Sequence, residues 1–532
     1  MTQTAIERVI AANSIWEMLD GAVQTYGDLV AFENYHNTLT FTDMGRYSDA
    51  LAAYLQAKMG VVKGTKVALM SPNCLAHPVC TMAIHKCGGV QVSVNPMYTP
   101  DELEHQLNDA DAEILMVFSG SLASFAPVRD RVGVTQVLVM ELGDCGQNPL
   151  PSPPIPDGFE NFTMLSEAMG QGASLPFAPV ALTREDLAFL QYTGGTTGPS
   201  KGAMLTHGNL LCNVDQAHEI MHSVMVEREE IIVTALPMYH IFALMVNFIC
   251  YTGFGCKNIM ITNPRDMDQF IGAIKSSGFT RINGVNTLYA GMMLHPEFTR
   301  VDFSKLKLAL AGGTATMHAV SDKWKSLTGK PILEAYGLSE TSPALTLTDP
   351  SMNEFTGTIG QKVKDCEIRL LDHDDNDVPD GERGELVCKG VQVTQGYYNR
   401  PDATADAFTK DGFFRTGDIA IREASGMYRI VDRKKDMVIV SGFNVYPTDV
   451  EQAASKCEGI QECACIGVPD EVTGEATKLF VVRAQGSNIG AEDIIAYCRD
   501  HLTAYKVPKQ IVFIDELPKS AVGKLLRREL RE

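Results

Sequence analysis

"LAFLQYTGGTTGPSKG", residues 187–202, leaves an apolar run for a segment in which Gly194, Gly195 and Gly198 alternate with Thr193, Thr196 and Thr197, and a single cation follows at Lys201. The apolar run reads as a buried strand. Glycines without Cβ atoms let backbone N–H groups converge on an anion, and the hydroxyls and the ammonium donate to phosphate oxygens. Two readings stay open here, a surface loop and a polyphosphate clamp. A Walker A loop is excluded, because that motif sets its lysine between glycine and Ser/Thr, whereas Lys201 stands between Ser200 and Gly202.

Working outward, short β-rich runs such as KVALMS (66–71), GVQVSVN (89–95) and EILMVFS (113–119) alternate with helix-like stretches. This predicts α/β layers. In TPDELEHQL (99–107), Thr99 as N-cap, Pro100 at the first helical position and Glu102 three residues after the cap predict a helix start. NPLPSPPIPDG (148–158), with five prolines, reads as an exposed connection. From about Val363 the pattern becomes strands separated by Asp/Gly/Pro turns, which predicts a β-rich subdomain over 363–434. The remainder, 435–532, fits a small α+β domain. Within it PTDVEQAASKC (447–457) reads as a helix with a capping box from Thr448 and Glu451, and Arg527 and Arg528 are expected on a final helix.

With 532 residues the chain is long enough for several domains. Its 45 basic and 65 acidic side chains give a net charge of −20, which argues against nucleic acid as a partner, since a basic surface supplies most of that affinity. Thirteen cysteines without a C-x-x-C pair fit a reduced cytoplasmic chain. No signal peptide is expected from the N-terminal residues. The longest apolar segment, residues 241–255, is too short to span a bilayer and reads as a buried helix, with peripheral membrane contact left open.

Three further segments carry polar chemistry. EAYGLSETSP (334–343) puts Ser339, Glu340 and Thr341 in a compact turn, either ordinary turn chemistry or one carboxylate and two hydroxyls suited to a magnesium–nucleotide complex. FFRTGDIA (413–420) sets Asp418 where a carboxylate could accept from two ribose hydroxyls, or be a solvated turn residue. VDRKKDMVIVSGFNVYP (431–447) holds the cation run Arg433, Lys434 and Lys435, and LPKSAVGKLLRREL (517–530) holds Lys524; charge runs and terminal lysines are ordinarily solvated.

In this order and spacing the four segments resemble the adenylate-forming superfamily, and the blocks REDLAFLQYTGGTTG, DGFFRTGDIAIREASGMYRIVDRKKDMVIVSGFNVYP and LPKSAVGKLLRREL are most similar to bacterial long-chain fatty acid–CoA ligases. The resemblance extends over essentially the whole chain. It implies a large N-terminal adenylation domain (1–434) and a small mobile C-terminal domain (435–532). It also implies ATP, Mg2+ and coenzyme A as cofactor and co-substrates, a fatty or related carboxylic acid as substrate, and a homodimer by family habit. Departures are few: Phe413 replaces the usual Trp, Ser339 a common Thr, and Ala311 and Thr314 flank the glycines of the acyl pocket, so chain-length preference is left open.

By the same resemblance, Thr193, Gly194, Gly195, Thr196, Thr197, Gly198 and Lys201 hold the β- and γ-phosphates, while Glu340 holds the metal and Thr341 contacts the α-phosphate. Tyr336 and Gly337 border adenine, and Gly313 lies on the acyl and nucleotide side. Asp418 and Arg433 take the ribose. Lys524 reaches between the carboxylate and the α-phosphate. Lys435 is the hinge for domain alternation, and Ser441, Gly442, Phe443 and Asn444 line the CoA channel. Gly312 and His240 border the acyl pocket, His240 being otherwise a core histidine. The alternatives are a CoA ligase for short, branched, aryl or sulfur-containing acids, an acyl-AMP ligase loading a carrier protein, and a non-catalytic binding protein.

Overall fold

The computed structural model describes residues 3–193, 199–520, 523 and 525–531. The chain forms two compact units: the first comprises residues up to Cys366 together with Lys389–Phe408, the second Glu367–Cys388 and the chain from Thr409 onward.

The first unit holds two large sheets. One has seven strands in the order Thr163–Met164, Gln136–Met140, Ile114–Phe118, Lys66–Met70, Val90–Val94, Leu187–Thr193, Lys201–Thr206, parallel throughout except for the last pair. Strand Val90–Val94 is buried along its whole length, as a parallel strand covered on both faces must be. The helix Pro100–Asp109 starts as its sequence predicts. The Thr99 hydroxyl accepts from the Glu102 N–H, and the Glu102 carboxylate accepts from the Thr99 N–H at 2.9 Å.

The second sheet has nine strands, and its parallel centre includes Ile231–Thr234, Arg281–Gly284, Leu308–Ala311 and Ile332–Gly337. Buried Asn73, just after strand Lys66–Met70, ties the sheets together. Its amide nitrogen donates to the carbonyls of Thr234, Leu236 and Ile261, and its oxygen accepts from the Met238 N–H at 2.8 Å. Strands Leu308–Ala311 and Ile332–Gly337 end at the AGGTAT and SET segments, and Leu187–Thr193 ends at the glycine segment. These three segments therefore follow the carboxyl ends of strands, where open α/β sheets bind ligands.

The apolar segment 241–255 is a buried helix, as expected, but Phe242–Cys250 is wound as a π-helix before one α-helical turn. No helix among the described residues is long and apolar enough to cross a membrane. The cysteines are free thiols, almost all of them buried.

In the second unit, four antiparallel strands, Cys366–Leu371, Arg383–Gly390, Phe414–Arg422 and Tyr428–Arg433, form the expected β-rich region. Beyond it, strands Ile460–Asp470, Gly474–Arg483 and Gln510–Phe513 pack with helices Pro447–Ala454 and Ala491–His501 around Val438, Val450, Leu479 and Ile494. Two expectations are corrected. The helix Pro447–Ala454 has Tyr446 at its N-cap and no capping side chain. Thr448 lies inside the first turn, its N–H donating to Asp432, while the Glu451 carboxylate accepts from the Cys465 N–H and pairs with Arg527. Arg527–Leu530 is a single 3-10 turn in place of a final helix.

Candidate active site

The strands on either side of the glycine segment, Leu187–Thr193 and Lys201–Thr206, pair as the two antiparallel arms of a hairpin, Thr193 standing opposite Lys201. Gly194, Gly195, Thr196, Thr197 and Gly198 lie outside the described residues, as does Lys524. The foot of the hairpin is held from several sides. Tyr192 donates from its hydroxyl to Asp109, His105 bonds to the Ser200 carbonyl at 3.0 Å, and the Tyr398 N–H donates to the Gly202 carbonyl. Position 202 must be glycine or nearly so, because a Cβ there would stand 2.9 Å from the Tyr192 ring.

Strand Ile332–Gly337 delivers the second motif. After Gly337 the chain turns tightly: the Leu338 N–H donates to the Thr341 hydroxyl, which donates to the Pro343 carbonyl at 2.5 Å. Thr341 is fully buried, so its hydroxyl shapes the turn that presents Glu340. The turn is seated on helix His207–Met221 through Asn213, which exchanges two hydrogen bonds with the backbone of Ala344. Tyr336 is half-buried at the end of the same strand.

Glu340 is itself 7% exposed. Its carboxylate accepts from the Tyr397 hydroxyl at 2.8 Å and its carbonyl accepts from the Thr394 N–H at 2.7 Å. The Lys201 ammonium lies 5.1 Å from the centroid of the same tyrosine ring. Burial, reinforced by the Glu340 charge and hydrogen bond, pushes the Tyr397 phenol far above its ordinary value, so it stays a donor. The sequence reading singled out Lys201 and Glu340 and missed Tyr397, whose only local signal is an aromatic after Gly396.

The AGGT segment and the apolar helix also converge. A Cβ on Gly312 would meet the Phe242 ring at 3.0 Å and the Ala335 carbonyl at 3.3 Å, while Gly313 adopts φ +78° in open space. The Phe242 N–H donates to His240 Nδ1 at 3.3 Å, which leaves the ring proton on Nε2. Gln191, in the strand that leads to the glycine segment, donates to the Tyr239 carbonyl at 2.8 Å. His240 and Gly312 thus share Phe242 as a neighbour, at the mouth of the π-helix.

In the second unit Asp418 and Arg433 stand opposite each other in adjacent antiparallel strands and pair at 2.8 Å, with Asp418 3% exposed. The Asp418 N–H donates to the Thr416 hydroxyl. Lys435 lies in the turn Lys434–Asp436, between strands Tyr428–Arg433 and Val438–Val440. Ser441 and Gly442, with φ +51° and +85°, form the two-residue tip of a hairpin that pairs Val440 with Phe443, the geometry of a type I′ turn. Phe443 is 56% exposed and stacks on Tyr505 with ring centroids 4.8 Å apart.

Residues 19–398 match the family model described as "AMP-binding enzyme", and residues 449–524 match "AMP-binding enzyme C-terminal domain". The chain belongs to the AMP-binding enzyme family. This AMP-binding enzyme is 43% identical to a long-chain-fatty-acid–CoA ligase of Escherichia coli O6:H1 strain CFT073, over 98% of this chain and 94% of that one. It is 32% identical to a feruloyl-CoA synthase of an Amycolatopsis species, over 93% of each chain. Among solved structures, ATP-bound MatB from Rhodopseudomonas palustris superposes with a TM-score of 0.86 at 28% identity, covering 98% of both chains.

Proposed function

We propose that this AMP-binding enzyme is a fatty acid–CoA ligase. It joins the carboxylate of a medium- or long-chain fatty acid to the α-phosphate of ATP with loss of pyrophosphate, then passes the acyl group to the thiol of coenzyme A with loss of AMP. The observation that carries the reading is the placement of Lys201 and a buried Glu340 against one side chain, at the foot of the glycine hairpin. The long-chain relatives at 43% identity support the substrate class.

A carboxylate is unreactive towards a thiol until its oxygen becomes part of a better leaving group. Both steps crowd negative charge into one place, so fixed cations and N–H donors supply most of the stabilisation. The segment from Thr193 to Lys201 takes the β- and γ-phosphates, and Lys201 enters as a point charge. Tyr336, Gly337 and Gly313 border the nucleotide and Thr341 holds the turn that faces the α-phosphate. Asp418 accepts from ribose hydroxyls, with Arg433 paired to its carboxylate. Lys524 supplies the cation at the reacting carboxylate.

Glu340 fits a magnesium site: it is a hard oxygen donor, buried, with one oxygen engaged by Tyr397. Among the described residues no three His, Cys, Asp or Glu side chains converge on a metal position. A cation would therefore rest on this one carboxylate, water and nucleotide phosphates, the usual manner of Mg2+. When bound, the ion screens phosphate charge during attack on the α-phosphorus. Lys435 acts as the hinge that exchanges Lys524 for the Ser441–Asn444 turn after adenylation, and His240 and Gly312 border the acyl group.

The reading is tested by measuring AMP and acyl-CoA formation across acids from propionate to oleate, with cinnamate and a CoA-free control. Activity should peak on medium or long chains. A peak on short or aromatic acids overturns the substrate, and AMP release without acyl-CoA overturns the acceptor. Lys524→Ala should abolish adenylation and spare thioester formation from a supplied acyl-adenylate; equal loss in both removes Lys524 from its role.

A further inference from the structure

The segment Lys389–Phe408 belongs to the first unit although the chain on either side of it belongs to the second. It is laid along the strand that follows the glycine hairpin. Thr394 donates from its hydroxyl to the Met204 carbonyl, the Met204 N–H donates to the Gly396 carbonyl, and Tyr397 bridges to Ala203. Asn209 reaches across to the carbonyls of Val391 and Val393. The backbone of Tyr397 is fixed as well, its N–H donating to the Thr404 hydroxyl at 2.9 Å. Gly396 has φ +136°, and a Cβ there would lie 2.4 Å from the Thr404 side chain. A strap held this closely sets the position of whatever it carries.

We propose that Tyr397 is a positioning residue for the nucleotide site, its hydroxyl orienting Glu340 towards the metal and its ring face holding the Lys201 ammonium. The inference rests on the reading of Glu340 and Lys201 given above. Its physical content is the separation of two opposite charges. A lysine and a glutamate presented to the same phosphates would lower their energy by pairing with each other, and each would then be neutralised before ATP arrives. Among the described residues Lys201 forms no ion pair with Glu340, and each instead contacts Tyr397, the cation at its ring and the carboxylate at its hydroxyl. One Glu340 oxygen is engaged at 2.8 Å, which leaves the other for a cation. The ammonium at 5.1 Å from the ring centroid is within cation–π range. The ring holds the cation without supplying a counter-charge, so phosphate competes only against a weak contact.

The test compares Tyr397→Phe, Tyr397→Leu and Glu340→Gln by calorimetric binding of α,β-methylene ATP with Mg2+ and with EDTA, alongside thermal melts. The wild-type protein should bind more tightly with Mg2+. Tyr397→Phe keeps the ring and loses the hydroxyl, so it should forfeit about tenfold of that gain, in line with one hydrogen bond to a charged group, and bind as wild type in EDTA. Tyr397→Leu should also weaken binding in EDTA, because Lys201 loses its seat. If Glu340→Gln loses the Mg2+ gain while both tyrosine variants bind like wild type and differ only in melting temperature, Tyr397 is merely structural and the inference falls alone. If Glu340→Gln itself retains the gain, the metal role of Glu340 falls and the inference goes with it.

Discussion

Replacing Gly337 by alanine isolates the turn that presents Glu340. An added Cβ at this position would stand 1.7 Å from the Pro343 carbonyl oxygen and 2.7 Å from its carbon. Contacts below 3.0 Å are essentially not seen for real Cβ atoms, so the turn must open by about 1.3 Å, the difference between the two distances. The obstructing oxygen is the one that accepts from the Thr341 hydroxyl at 2.5 Å. Opening the turn therefore breaks the bond that shapes it and moves Glu340 relative to Tyr397 and Thr394. A misplacement of about 1 Å costs on the order of a hundredfold in a positioned reaction, and overpacking of this kind costs about 1–3 kcal/mol of stability. The assay is fatty-acid-dependent exchange of pyrophosphate into ATP, with a thermal melt on the same preparation. Gly170→Ala serves as the control: it lies in the helix Leu165–Gly172 with nothing within 4 Å of its Cβ position, and should gain up to about 1 kcal/mol from helix propensity. Wild-type exchange and melting in Gly337→Ala would refute the steric argument.

Two other perturbations follow from the geometry. Asp418→Asn retains an acceptor for Arg433 but removes one for the ribose, so the KM for ATP should rise roughly tenfold with the KM for fatty acid unchanged; an unchanged ATP KM removes Asp418 from the ribose site. The buried histidines set a pH dependence. Burial lowers His85 well below the ordinary histidine value, His207 to about 4 and His77 to about 3. Folded-state values below the unfolded one mean that this stability is present above about pH 6.5 and is lost as pH falls towards the folded values. Asp144, raised to about 6 by burial, acts in the opposite sense, so a difference measurement is needed. The stability of His85→Phe relative to wild type should improve by about 1 kcal/mol between pH 6.5 and 5.5 in urea unfolding. A pH-independent difference would show that His85 binds its proton equally well in the folded and unfolded protein, and would refute the burial argument.

What the sequence made legible was what local chemistry controls. The helix at Pro100 was readable because cap, proline and Glu102 act within one turn. The same capping signature failed at Thr448 and Glu451, because Pro447 had already started the helix and Glu451 turns inward to Arg527 and the Cys465 N–H. Two partners remote in sequence outweighed the local pattern, and no short window could have displayed them. The π-winding of Phe242–Cys250 escaped for a related reason: an apolar run signals burial but not the pitch of the helix.

Tyr397 shows the limit most plainly. Its partners Glu340 and Lys201 were each legible from a motif, yet the residue that joins them is 57 positions from the first and lies on a strap whose flanks belong to the other unit. A motif records what must touch the ligand. It does not record what would keep two charges proposed for one ligand from satisfying each other, since that task can be done by any side chain offering both a donor and an uncharged face. Tyrosine meets both conditions, and phenylalanine and glutamine each meet one. The order of loss expected for Tyr397→Phe and Tyr397→Leu follows from this division. It asks whether the nucleotide site depends on a separation of charge as well as on the charges themselves.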